Sequence, residues 1–81
     1  MSLSPIEERI LSICQTRTLR RDLFKALREQ WSVEYIHRVI LHLEVLGLLE
    51  EDQVRRERGY VAIYLETTEA GSLEVFGRTS Y

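Results

Sequence analysis

Eighteen residues, Ser32 to Leu49 (SVEYIHRVILHLEVLGLL), constrain the fold of this chain more than any other stretch. Ser32 stands where a hydroxyl can accept from a backbone N–H of a first helical turn. Val33, Ile36, Ile40 and Leu43 recur at i, i+3, i+7 and i+10, which is the stripe of a helix facing a core. Gly47 sits where a left-handed residue closes a helix. Leu48 and Leu49 carry the apolar signal directly into a strand. A helix over 32–47 joined to a strand by so short a turn must share its core with that strand, and the remaining elements have to pack around the pair.

Two further helices precede it. Ser4-Pro5-Ile6-Glu7 starts helix 1 over 4–15: serine caps, proline takes the position where its missing N–H is harmless, and Glu7 completes a capping box. Ile6, Ile10, Ile13 and Cys14 share one face, with Leu11 to one side. Cys14 is expected as a small buried hydrophobe. Gln15 to Thr18 reads as a turn, and Thr18-Leu19 as a short strand able to pair with a later one. Helix 2 covers 20–30, with Leu19, Leu23, Phe24 and Leu27 inward and Arg21, Lys25 and Arg28 as a basic stripe on another side. Trp31 is expected to pack between helices 2 and 3. Downstream, Leu49–Val54 and Tyr60–Thr67 read as strands of one hairpin over 49–67, since Val61, Ile63 and Leu65 alternate with Tyr60, Ala62 and Tyr64. Arg55 to Gly59 (RRERG) turns between them, and Leu73, Val75 and Phe76 allow about two helical turns over 68–77.

A capped helix running through Leu43-Glu44-x-Leu46-Gly47-Leu48-Leu49 and on to an arginine-tipped hairpin resembles the recognition helix and wing of winged helix-turn-helix proteins. Thr67-Thr68-Glu69-Ala70-Gly71 resembles the ending that follows the wing in MarR- and PadR-type regulators, with Thr67 in place of their leucine. The resemblance implies an α+β winged helix-turn-helix in a single domain, residues 1–81. It would have a three-helix core, a two-stranded wing and a short C-terminal helix.

Net charge is −2, which read as a total speaks mildly against nucleic acid. Its distribution says otherwise. Residues 17–38 hold six Lys/Arg against three acids, and 55–58 three Arg against one Glu, whereas 39–54 hold four acids and no Lys or Arg. The positive segments are those that a winged helix presents to double-stranded DNA. By position, Tyr35, His37, Arg38 and His42 on helix 3 are candidates to reach base edges. Glu34, four residues before Arg38, could instead pair with it. Arg21 and Lys25 on helix 2, with Arg55, Arg56 and Arg58 on the wing, are candidates for phosphate or minor-groove contact.

Catalytic motifs are missing: no Walker P-loop, no G-x-G-x-x-G and no His-Glu-x-x-His occurs. His37 and His42, five apart on a helix, cannot share a metal. Neither enzyme activity, a metal, a cofactor nor a small-molecule ligand is expected. No apolar run approaches the ~20 residues of a membrane span, and the start lacks a signal-peptide pattern, so a cytoplasmic location is the expectation. Leu11, Leu73, Val75 and Phe76 have no evident place in so small a core, which predicts a homodimer through helix 1 and the C-terminal segment. Leu41 and Val45, apolar on the outer side of helix 3, keep open an alternative from another class, a winged helix serving protein–protein assembly.

Overall fold

The computed structural model describes residues 2–77. Helix α1 (Pro5–Ile13) begins with the anticipated reciprocal cap. Ser4 Oγ accepts from the Glu7 N–H at 3.4 Å, and Glu7 Oε1 accepts from the Ser4 N–H at 2.8 Å. It ends at Ile13, two residues short of the expected bound, with Cys14 as its cap and Gln15 turning its side-chain amide back onto the Leu11 carbonyl. Strand β1 (Thr18–Leu19) leads without a break into α2 (Arg20–Leu27). Helix α2 stops at Leu27, three residues before the expected bound, and the Gln30 and Trp31 N–H groups share the Leu27 carbonyl in the turn that follows. Ser32 caps α3 (Val33–Val45) through the Tyr35 N–H.

The end of α3 is a Schellman closure. The Leu48 N–H bonds the Leu43 carbonyl and the Gly47 N–H bonds the Glu44 carbonyl, both at 3.0 Å, with Gly47 at φ 78. From there β2 (Leu49–Arg55) and β3 (Val61–Thr67) form the hairpin, and β1 adds to the far side of β3. The sheet is therefore three-stranded, order β1-β3-β2, all antiparallel, with the short strand expected at Thr18-Leu19 added to the two-stranded wing. The third strand exists because Thr18 and Leu19 stand opposite Leu65 and Tyr64.

Among the described residues, thirteen apolar side chains from α1, α2, α3 and the base of the sheet make the core. Two sequence expectations change here. Leu11 is fully buried and not spare surface, since α4 (Glu69–Val75) folds back over α1. Val33 is 56% exposed and Val39, outside the expected stripe, is buried in its place. Val33 is the first residue of α3, where the helix only begins to enter the core. Trp31 is half-buried against that core and lines a surface hollow with Pro5, Glu8, Arg9 and Ser12 of the α1 side. Along β3 burial fades from Leu65 (0%) to Val61 (44%), because the hairpin tip extends beyond the helices that cover its base.

Helix α4 is fastened at its start. Thr68 Oγ1 accepts from the Gly71 N–H and donates to the Gly47 carbonyl, while the Thr68 N–H bonds the Leu48 carbonyl. Gly71 lies directly on that peptide: a Cβ there would overlap the Leu48 carbonyl oxygen. Nearby, the Thr67 hydroxyl and N–H tie β3 to the Leu11 and Cys14 carbonyls of α1. Cys14 is fully buried, and burial pushes its thiol pKa up to about 12.

Two outcomes follow in urea unfolding. Gly71→Ala should lose about 1–3 kcal/mol, because backbone and not a flexible side chain blocks the new methyl; an unchanged midpoint would show that α4 does not depend on this approach. For Cys14, the folded value lies above the ordinary 9.0, so its contribution is full below pH 9 and declines as pH rises toward about 12. The stability of the parent relative to Cys14→Ala should therefore fall by up to about 1.4 kcal/mol per pH unit above pH 9.

Candidate nucleic-acid interface

Helix α2, the first turns of α3 and the outer half of β3 enclose an open groove of about 910 Å³. Its floor is apolar, from Leu19, Phe24, Val33, Val61 and Ile63. Arg20, Arg21, Lys25 and Arg28 come to it from α2, Arg56 from the wing and His37 from α3, and no carboxylate among the described residues lines it. The helical spacing of Arg21, Lys25 and Arg28 puts all three on the same side, and the extended wing brings Arg56 to face them.

Individual contacts fix several of these groups. An Arg20 Nη2 donates to His37 Nδ1 at 2.6 Å, and since a guanidinium has only donors, the imidazole carries its proton on Nε2. The Arg20 guanidinium also lies 5.2 Å from the centre of the Phe24 ring. Arg56 donates to the Tyr64 hydroxyl. Tyr64 in turn has the Arg17 guanidinium 4.3 Å from its ring centre, and Arg17 pairs with Asp52 at 2.7 Å. Arg17 is thus largely neutralised, while Arg56 faces no acid in the groove. Arg21 lies 4.0 Å from Asp22, both strongly exposed, a pairing of little consequence.

Of the residues expected from the sequence, Arg21, Lys25, His37 and Arg56 therefore meet on one groove. Tyr35, Arg38 and His42 lie exposed on α3 outside it, and Arg55 and Arg58 lie exposed on the wing. Among the described residues no ion pair joins Glu34 to Arg38. The alternation of β3 against β2 separates the wing arginines. Arg55 opposite Val61 shares the sheet face of Leu65, whereas Arg56 shares that of Tyr60 and Tyr64. Arg58 occupies the turn itself, at φ 70 and ψ 12, ahead of Gly59 at φ 85. That left-handed conformation normally selects glycine, so an arginine there is held against its backbone preference.

Arg20 and Tyr64 were not singled out by sequence reasoning. Arg20 had a local signal, since it stands four residues before Phe24 at the start of a helix. Tyr64 had none: its bond to Arg56 depends on hairpin register.

The acids gather elsewhere. Glu50, Glu51, Asp52 and Glu66 surround a smaller hollow of about 280 Å³ at the base of the sheet, with Arg17 and Tyr64. Glu44, near the end of α3, has Oε2 buried without a hydrogen-bond partner. Burial first, then the Glu51 carboxylate beside it, raises its pKa above the usual carboxylate value, and Arg20 opposes the shift. A raised folded value means a contribution complete below about pH 4.5 and lost as pH rises from there through the higher folded value. Glu44→Gln should accordingly raise the melting temperature at pH 7 and lose that advantage in acid. An equal gain at both pH values would locate the effect in packing instead of charge.

No family model matches the chain, and no curated protein matches its sequence. Among solved structures it is similar to a PadR-like transcription factor from Bacteroides fragilis, with a TM-score of 0.70 over 86% of this chain and 71% of the other, at 16% identity. At that identity the likeness is one of fold, and with the element order above the fold is that of a winged helix-turn-helix.

Proposed function

We propose that the protein binds double-stranded DNA and regulates transcription, as a homodimer and without enzymatic activity. The observation that carries the reading is the acid-free cationic groove beside the exposed outer face of α3. A B-form major groove is about 12 Å wide and admits one helix. With Tyr35, Arg38 and His42 of α3 directed to base edges, the flanking phosphate strand would pass the cations of α2 and Arg56, and Arg55 and Arg58 would meet the backbone or minor groove. The fold shared with a PadR-like transcription factor supports this assignment. Such a regulator works in the cytoplasm, and no helix among the described residues is long and apolar enough to cross a membrane.

Dimerisation is supported by Leu73 of α4 and by Phe76 just past its end, which remain 58% and 54% exposed. Leu11 has no part in it, being buried within the chain. A second reading, protein–protein assembly within a larger complex, is favoured by Leu41, Val45 and Leu46, which are 47%, 84% and 40% exposed.

Titrations of the parent, Arg38→Ala and Arg56→Ala against a selected and a scrambled duplex, at two salt concentrations, test the assignment. Arg56→Ala should weaken both duplexes alike and reduce the salt slope by about one. Arg38→Ala should cost about 1–3 kcal/mol on the selected duplex and much less on the scrambled one. Equal losses for Arg38→Ala would make it a backbone contact, and a parent that binds no duplex at low salt would leave the assembly reading.

A further inference from the structure

Strand β3 is paired along its whole length by β2 but only at its inner end by β1, through Thr18↔Leu65 and Leu19↔Tyr64. Arg20 then turns away into α2, and from Ile63 to Tyr60 this edge of β3 faces the groove. The direction of its main-chain groups is fixed by the ladder. The Arg56 N–H bonds the Tyr60 carbonyl, so even-numbered residues of β3 bond toward β2 and odd-numbered ones toward the other side, as the Thr67 N–H to the Cys14 carbonyl shows. The N–H groups of Val61 and Ile63 therefore point into the groove, where no strand among the described residues receives them.

Three properties coincide there: unpaired strand donors, an apolar floor in which Val33 and Val61 are about half exposed, and a rim of five cations without a carboxylate. A phosphate strand would use only the rim. An extended polypeptide uses all three, since its own ladder groups meet those of β3 and its alternate side chains go to opposite sides. We propose that this groove takes, as a strand added along Tyr60–Ile63, an extended segment of another protein in which acidic and apolar side chains alternate. The apolar set lies over Phe24, Val33 and Val61, and the acids reach Lys25, Arg28 and Arg56. Where the DNA-binding reading above also holds, these cations serve both partners, so such a segment displaces DNA and acts as an antagonist. The same arginine rim that discourages indiscriminate edge pairing selects this one composition.

The test uses the full chain and three synthetic octapeptides: one alternating Glu or Asp with Val or Ile, one with the same composition segregated into an acidic and an apolar half, and polyglutamate. Binding is followed by fluorescence anisotropy, and amide exchange at Val61 and Ile63 by NMR. The alternating peptide should bind roughly tenfold tighter than either control and slow exchange at both amides. Val61→Pro removes one donor on the open edge while leaving the β2 ladder intact, and Tyr60 at φ −91 and ψ 160 already has the backbone that precedes proline. It should abolish most of that preference, with the sheet signature in circular dichroism unchanged. Polyglutamate binding as well as the alternating peptide would overturn the proposal, as would no peptide binding at all. Protection of the two amides by a random duplex but not by peptide would overturn it too. Duplex binding measured on the same sample keeps the two readings apart: duplex without peptide sinks the added strand alone, and peptide without duplex sinks the DNA assignment alone.

Discussion

The backbone of Leu48 is where the architecture is held. Its N–H closes α3 on the Leu43 carbonyl, and its carbonyl receives the Thr68 N–H that starts α4. One residue's main chain thus ends one helix, leads into the wing and anchors another helix. Gly47 makes the turn possible by adopting φ 78, and Gly71 makes the anchorage possible by having no side chain. Buried backbone groups need partners, and here each supplies a connection between elements distant in sequence. The orientation of the hairpin relative to α3 follows from this junction, and with it the groove.

Charge is organised by the same geometry. The sheet separates an acidic base, around Glu50, Asp52 and Glu66, from a cationic groove and tip. A net charge of −2 averages two surfaces of opposite sign and describes neither. What acts on a charged partner at close range is the local field, since in physiological salt the interaction is screened within about 8 Å.

The helices and wing were legible because their signals are local: capping residues, 3.6-residue and two-residue periods, and one glycine at a helix end. The burial of Leu11 was not, because it depends on α4 folding back over α1, a contact between residues some sixty positions apart. Val33 and Val39 exchanged roles because a stripe read from spacing assumes that a helix enters its core along its full length. At the candidate interface, the stripe of Arg21, Lys25 and Arg28 could be read from helical spacing. Its convergence with Arg56 and His37 could not, since that depends on where the hairpin comes to rest. The Tyr64 contact with Arg56 was equally hidden, being a matter of register between strands.

Lys25 is the only lysine in the chain, ten arginines supplying the other cationic side chains, and it stands in the groove wall. A guanidinium stays protonated throughout the accessible pH range, but an ammonium can be acylated and its charge erased. Side-chain amine chemistry on this protein therefore has a single address. Acetylation would remove one positive charge from the groove while leaving every guanidinium in place, so covalent modification can lower the local positive potential of this surface by a single step.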